Sequence, residues 1–144
     1  MIRAATLDDV PQIVALTKLH FPKLRNKQIL FNEQTFTGFA ERFIAGKDNS
    51  RTVLLSDESC LLCAFIFCMV QQHYLTGELV GSKVIWCAHP GMAGHGRKVL
   101  KAAEEWWHSK GVRRYLMSCF DSRTEKLLSL SGYYETEKHF EKVV

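Results

Sequence analysis

No apolar stretch of this chain is long enough to cross a bilayer as a helix. The longest, Cys60 to Val70, falls well short of the roughly 20 residues that a spanning helix needs. No low-complexity tract, linker or internal repeat interrupts the 144 residues. A single domain over residues 1–144, with room for a real core, is expected. Strong charge of one sign is also lacking. The formal net charge of +4 suits an anionic small ligand or an acidic partner, and is too small and too scattered to argue for nucleic acid. No second Cys or His pair follows Cys60-x-x-Cys63 at metal-ligand spacing. Cys63 and Cys68 lie in the apolar run and read as small buried hydrophobes, so no metal is expected. His89 and His95 read as polar groups of a loop rather than as chelators. The five cysteines are an odd number, and Met1-Ile2-Arg3 leads straight into strand-like sequence with no secretory segment. A reducing, cytoplasmic setting is expected. The 47% apolar and 24% charged content is that of an ordinary globular domain.

What is present centres on Lys83 to Lys110, KVIWCAHPGMAGHGRKVLKAAEEWWHSK. Val84 to Ala88 is an apolar run that reads as a buried strand. His89-Pro90 turns the chain into a loop, Gly91-x-x-Gly94-x-Gly96, and an unbroken helical pattern follows. Glycines let the backbone turn tightly and bring bare N–H groups to a ligand. The helix start behind them adds unpaired donors and the positive end of a dipole. Arg97, Lys98 and Lys101 add formal charge. Strand, glycine loop and helix in this order predict a site for a phosphate-bearing ligand. In the helix, Val99, Ala102, Ala103, Trp106 and Trp107 recur at three- and four-residue steps as an apolar stripe. Lys101/Glu105 and Glu104/His108 are spaced to touch across one turn, and Gly111 closes the helix.

Along the rest of the chain, Ile2 to Ala4 reads as a strand and Thr6-x-x-Asp9 as a capping box. The stripe Val10, Ile13, Val14, Thr17, Phe21 predicts a helix that Pro22 ends. Lys23 to Gln28 is a basic connection. A second helix shows Phe36, Phe39, Ala40, Phe43 and Ile44 on one face and stops at Gly46. Thr52–Ser56 and Cys60–Gln71 form a hairpin around a turn at Asp57-Glu58-Ser59. The second strand is apolar throughout, as in a sheet covered on both faces. The following strand extends from Glu78 to Ala88, with Gly81 as a possible bulge. Arg114–Cys119 is a further strand. A short helix starts at Asp121 or Ser122, the latter opening a second box with Glu125. Leu127, Leu128 and Leu130 give its apolar side, Gly132 ends it, and Tyr133–Val144 closes the sheet. The fold class expected is α/β (α+β), a mixed sheet with helices on both faces in the order β-α-α-β-β-β-α-β-α-β. The edge of the last strand offers a route to a homodimer.

Three segments in this order resemble the GCN5-related N-acetyltransferase family over nearly the whole chain. IRAATLDDVPQIVAL is similar to its opening strand and helix. VIWCAHPGMAGHGRKVLKAAEEWW is similar to its acetyl-CoA motif, and LMSCFDSRTEKLLSLSGYYE to the following strand, helix and glycine–aromatic ending. The resemblance implies an acyl-CoA N-acyltransferase-like fold and an N-acetyltransferase with acetyl-CoA as co-substrate and an amine of a small molecule or protein as acceptor. It also implies that the Lys83–Ala88 and Arg114–Cys119 strands splay apart. Trp86 and Ala88 then offer main-chain groups to the pantetheine arm. The amides of Gly91, Met92, Ala93, Gly94, His95, Gly96 and Arg97 hold the pyrophosphate, and Asp121 lies near the cofactor.

The chain departs from the family pattern at several positions. Gly91 stands where an Arg or Gln usually heads the loop, which is about two residues short; His95 and Arg97 are then compensating donors. Leu128 stands at the position of the tyrosine that protonates the departing thiolate. Ser129, Tyr133 and Tyr134 lie nearby but out of register; water is one substitute acid, and Tyr133 is the side-chain candidate. Asp121 replaces the usual asparagine. For the general base, Glu78 is the first candidate by position. His73 is the second, since histidine exchanges protons near neutrality. These departures keep a second function open: a relative that retains the fold in a structural, regulatory or assembly role.

Overall fold

The computed structural model describes residues 1–24, 30–46, 49–142 and 144. Ten elements follow one another: β1 (Ile2–Ala4), a 3-10 turn (Leu7–Asp9), α1 (Val10–Leu24), α2 (Glu33–Ala45), β2 (Arg51–Glu58), β3 (Leu61–Gln72), β4 (Leu79–Ala88), α3 (Ala93–Ser109), β5 (Arg114–Leu116) and α4 (Ser122–Leu130). The five strands form one sheet in sequence order. The pairs β1–β2, β2–β3 and β3–β4 are antiparallel, and β4–β5 is parallel. The mixed sheet expected from the sequence is therefore present.

β3 explains why the sheet is covered on both faces. Its residues Leu62 to Cys68 are all buried. Phe65 and Phe67 pack with Ile13, Leu16, Ala40 and Phe43 of α1 and α2. Ala64, Ile66 and Cys68 pack with Val99, Ala103 and Trp107 of α3 and with Leu128 of α4. The phenylalanine-rich face of α2 is core: Phe39 stacks on Phe67, and Phe43 tilts against it at 5.0 Å. α3 ends in a Schellman motif, with the Val112 amide on the Trp107 carbonyl at 3.1 Å and the Gly111 amide on His108 at 2.9 Å.

Several local expectations are corrected. The strand expected over Tyr133–Val144 does not form; the described residues of that segment, 133–142 and 144, carry no strand. Its apolar side chains follow no alternating pattern, and Tyr134 and Phe140 are exposed, so no core face holds it to the sheet. The homodimer route through that edge loses its basis. α1 continues past Pro22 to Leu24, because a proline removes one backbone bond without forcing the next residues out of helical form. The connection expected at Lys23–Gln28 lies outside the described residues from 25 onward. The hairpin turn falls at Ser59 and Cys60, both at positive φ, rather than at Asp57. The second capping box is not used. Of the two caps expected for α4, Asp121 is the one used, accepting the Thr124 amide at 2.7 Å. Leu130 of α4 is exposed.

Gly81 is not a bulge. It is paired with Val70 on β3 and Tyr115 on β5. A Cβ there would meet ring atoms of Trp107 at 2.6 Å. Trp107 is fully buried and its indole N–H is held by the Met69 carbonyl at 3.1 Å, so the ring cannot yield. Gly81→Ala should therefore destabilise the protein by about 1–3 kcal/mol through overpacking. Denaturant unfolding would measure the loss, and an unchanged midpoint would show that α3 moves freely.

At the opposite edge, Arg3 forks onto both carboxylate oxygens of Asp9 at 2.8 Å and reaches Asp57 at 3.0 Å. Asp9 also accepts the Thr6 amide at 2.8 Å, closing the expected box. The Arg3 fork lowers the Asp9 carboxyl to about 2. A carboxyl held below its unfolded value near 3.9 stabilises the fold above that pH and loses its contribution as pH falls toward 2. Arg3→Met should remove about 1 kcal/mol, after solvent screening, at pH 7. The deficit relative to wild type should shrink in unfolding measurements carried down to pH 2–3.

Candidate functional site

The site begins where β4 and β5 part. β4 pairs with β3 along its whole length, but with β5 only at Val80, Gly81 and Ser82. From Lys83 to Ala88 the side of β4 facing β5 has no strand partner among the described residues. A bulge helps open this gap. Phe67 pairs with Ile85 and Cys68 with Lys83, so Val84 is an extra residue on β4. Such an insertion bends its strand. The expected parting of the two strands is therefore present, starting one residue after the last pair.

The ladder on the closed side fixes which main-chain groups face the gap. The His89 amide donates to the Cys63 carbonyl at 2.9 Å. In an antiparallel pair this makes Ala64–Ala88, and by alternation Ile66–Trp86, the pairs whose N–H and C=O turn away from each other. Trp86 and Ala88 thus direct main-chain groups into the gap. Ala88 has one of them occupied: its carbonyl accepts from His20 Nε2 of α1 at 2.7 Å. That contact places the ring proton on Nε2.

The gap leads to the start of α3. His89–Met92 forms a tight turn, with the Met92 amide on the His89 carbonyl at 2.9 Å and Gly91 at φ +80°. α3 starts at Ala93, so Gly94 and Gly96 belong to the helix rather than to a loop. Their lack of side chains serves proximity. A Cβ on Gly96 would lie 3.4 Å from that of Ala88, and the Trp86 indole N–H donates to the Gly96 carbonyl at 3.2 Å. The Met92 side chain makes no cap. The amides of His95 and Gly96 return to the Met92 carbonyl at 3.0 and 3.4 Å. This leaves the amides of Ala93 and Gly94 ahead of the first intrahelical bond, at the positive end of the helix dipole. Arg97 and Lys98 are exposed on the same turn. His95 is not a spare donor. Its Nδ1 lies 2.8 Å from Ser56 Oγ and its Nε2 3.3 Å from Glu58, so the ring is turned to β2.

The candidate acid–base residues fall in different places. The amide of His73 donates to the Glu78 carbonyl at 2.8 Å, so both candidates share one turn at the closed end of the β4–β5 pair. The Glu78 carboxylate accepts from Arg114 at 3.0 Å, and the His73 ring stacks on Tyr74. Tyr133 donates its hydroxyl to Glu104 at 2.7 Å, and Glu104 is thereby engaged away from His108. Burial and this acceptor hold the Tyr133 phenol well above its ordinary range. A phenol so placed keeps its proton. Asp121 directs both carboxylate oxygens at Thr124 as a helix cap. Leu128 is buried against α3.

Two further residues border the gap and were not singled out from the sequence. Lys83 spans it just past the last paired residue, its Nζ donating to the Ser118 carbonyl at 2.6 Å. Burial lowers the proton affinity of its ammonium. His20 holds Ala88, as described. The available signals were a lone lysine between Ser82 and an apolar run, and a histidine in line with Ile13 and Thr17 on the stripe of α1. Cys87 sits beside Lys83, but burial pushes its thiol up to about 12. It should therefore resist alkylation at pH 8 while the exposed Cys60 reacts. Peptide mass spectrometry after iodoacetamide would measure this. Fast labelling of Cys87 would show a reactive thiolate beside the gap.

By sequence, no known protein family matches the chain, and no curated protein does. Solved structures match over essentially its whole length. A GCN5-related N-acetyltransferase from Ralstonia eutropha is 18% identical, with a TM-score of 0.80 over 99% of this chain and 97% of its own. An aminoglycoside antibiotic 6'-N-acetyltransferase from Acinetobacter haemolyticus is 18% identical, with a TM-score of 0.75 over 100% and 99%. A ribosomal-protein-alanine N-acetyltransferase from Brucella melitensis gives 13% and 0.72 over the same shares. At these identities the likeness speaks for the fold, and the chain has the fold of the GCN5-related N-acetyltransferases.

Proposed function

We propose that the protein is an N-acetyltransferase that uses acetyl-CoA as co-substrate and an amine as acceptor. One observation carries the reading: the gap between β4 and β5, lined by outward main-chain groups of Trp86 and Ala88, runs to the uncapped start of α3. The pantetheine arm adds itself to the open side of β4. The Ala93 and Gly94 amides hold the pyrophosphate, with Gly91 giving the turn and Arg97 and Lys98 adding charge. Asp121, committed to its helix, serves as the wall of the site rather than as a ligand. The solved structures of this fold are named for acceptors of both kinds, an antibiotic amine and a protein amine. The five free thiols suit a cytoplasmic setting.

The chemistry needs few groups. Orientation of two bound substrates supplies much of the acceleration. The acceptor amine passes a proton to Glu78, or to His73 in the same turn, and its nitrogen attacks the thioester carbonyl. A strand N–H polarises that carbonyl. The carbon–sulfur bond then breaks, and the thiolate takes a proton. Leu128 cannot supply it, and Tyr133 holds its own against Glu104. Lys83, a cation of lowered proton affinity inside the gap, takes that role.

Leu128 also supports a second reading, a protein of this fold that has lost catalysis. Titration with acetyl-CoA separates the two. Ligand at a hundred times its dissociation constant should add about 2.7 kcal/mol of stability; no thermal shift at millimolar acetyl-CoA would leave the second reading. If acetyl-CoA binds and is turned over, Lys83→Met should lower kcat by about 10²-fold or more with little change in KM. Glu78→Gln should lower kcat by about 10²-fold if Glu78 is the base, and unchanged acetylation rates would remove it from the mechanism. Full activity of Lys83→Met would assign protonation to water.

A further inference from the structure

The tip of the β2–β3 hairpin meets the first turn of α3 through three side chains of metal-binding type. Glu58 ends β2, Cys63 lies on β3, and His95 lies in the first turn of α3. One ligand atom from each falls within 4.8 Å of the other two. Their spacing along the chain, 5 and 32 residues, hides this grouping. Two features show that the cluster is arranged. The register between β2 and β3 slips at this point: Ser56 pairs with Ala64 and Asp57 with Leu62, so Cys63 is an extra residue. The bulge lets Leu62 join Phe65 on the α1 face while the Cys63 sulfur, which donates to the Leu61 carbonyl at 3.5 Å, lies within 4.8 Å of a ring nitrogen of His95. His95 is also oriented from behind. Ser56 Oγ lies 2.8 Å from Nδ1, which leaves Nε2 directed at Glu58, 3.3 Å away. An outer partner on one ring nitrogen, with the second turned to another ligand-type side chain, is an arrangement that suits a ligating histidine; an ion would take the place of the Nε2–Glu58 contact.

We infer that Glu58, Cys63 and His95 bind a divalent cation of the Zn²⁺ class. A thiolate, an imidazole and a carboxylate suit Zn²⁺ and leave a fourth position for water. The thiolate selects against Mg²⁺ and Ca²⁺, which take oxygen ligands. On binding, Cys63 gives up its thiol proton, and the charges of thiolate and carboxylate balance the ion. Cys63 is buried, whereas Glu58 is largely exposed and forms the side through which the ion enters. The ion would pin the hairpin tip to the helix start. The site is separate from the acetyl-CoA gap, since the His95 ring faces β2.

Titration of the metal-free protein with Zn²⁺ and Co²⁺ tests this without any acyl donor. One Zn²⁺ per chain should bind, raising the melting temperature, and Co²⁺ should show thiolate charge-transfer absorption. Cys63→Ser should abolish that absorption. His95→Gln and Glu58→Gln should each weaken Zn²⁺ binding at least tenfold. Cys60→Ser and His89→Gln should bind as wild type does. Glu58 is on the surface, so its variant reports even if Cys63→Ser fails to fold. Absence of binding, or binding that survives Glu58→Gln and His95→Gln but is lost in Cys60→Ser, would overturn the inference. Failure of the wild-type protein to bind acetyl-CoA would leave the Zn²⁺ titration unchanged, so the two readings fail separately.

Discussion

The fold depends on a strand that is fully paired on one side and deliberately unpaired on the other. β4 makes its entire ladder with β3, whose middle residues are buried on both faces. That strand is therefore held rigidly, and its opposite side can remain open for six residues without loss of order. An open side exposes N–H and C=O groups that need partners. Because β5 is short, the open side of β4 runs from Lys83 to Ala88. It is partly answered from within, by His20 on the Ala88 carbonyl and by Lys83 on Ser118. The point of divergence is anchored from the other layer. Gly81, in the last stretch paired to both neighbours, lies flat beneath the Trp107 ring.

α3 is placed by the same strand. Its first turn touches β4 through Gly96 and the Trp86 indole, and β2 through His95. A helix start fixed on two sides presents its free amides in a constant direction. This is what an anion site requires, and it does not require a long loop. The short connection His89–Met92 therefore fits the geometry. The residues that appeared missing from a loop are taken up by the helix, whose first turn contains Gly94 and Gly96.

Much of this was legible in the sequence wherever periodicity and local chemistry agree. The apolar run of β3, the phenylalanine face of α2 and the tryptophan stripe of α3 each have one stable burial, and each is found as expected. The parting of β4 and β5 was expected only through the family resemblance, since neither strand carries a mark of it. What was not legible is tertiary. Gly81 reads as a bulge until Trp107 is placed above it, and the bulges fall at Val84 and Cys63, which have no composition signal. Tyr133–Val144 reads as a closing strand, yet Tyr134 and Phe140 are exposed and no apolar face holds it against the sheet. The acid–base residues were searched for near the family positions, whereas Lys83 enters the gap from β4 itself and His20 from α1.

The replacement of a phenol by an ammonium has a consequence for the proton balance of the proposed reaction. A tyrosine at the Leu128 position would meet the departing sulfur from α4 as a neutral donor. Lys83 approaches from β4 itself and carries charge into the gap, where the thiolate forms. It therefore both attracts the developing charge and can neutralise it, and burial lowers its affinity for the proton it gives up. The same burial acts oppositely on the neighbouring Cys87, which stays a thiol and does not compete for the acyl group. Lysine and cysteine thus fall into distinct roles through one shared cause, the low polarity of the floor of the gap. Tyr133 cannot take over, because its hydroxyl already donates its hydrogen bond to Glu104 on α3 and burial with that carboxylate holds the phenol protonated.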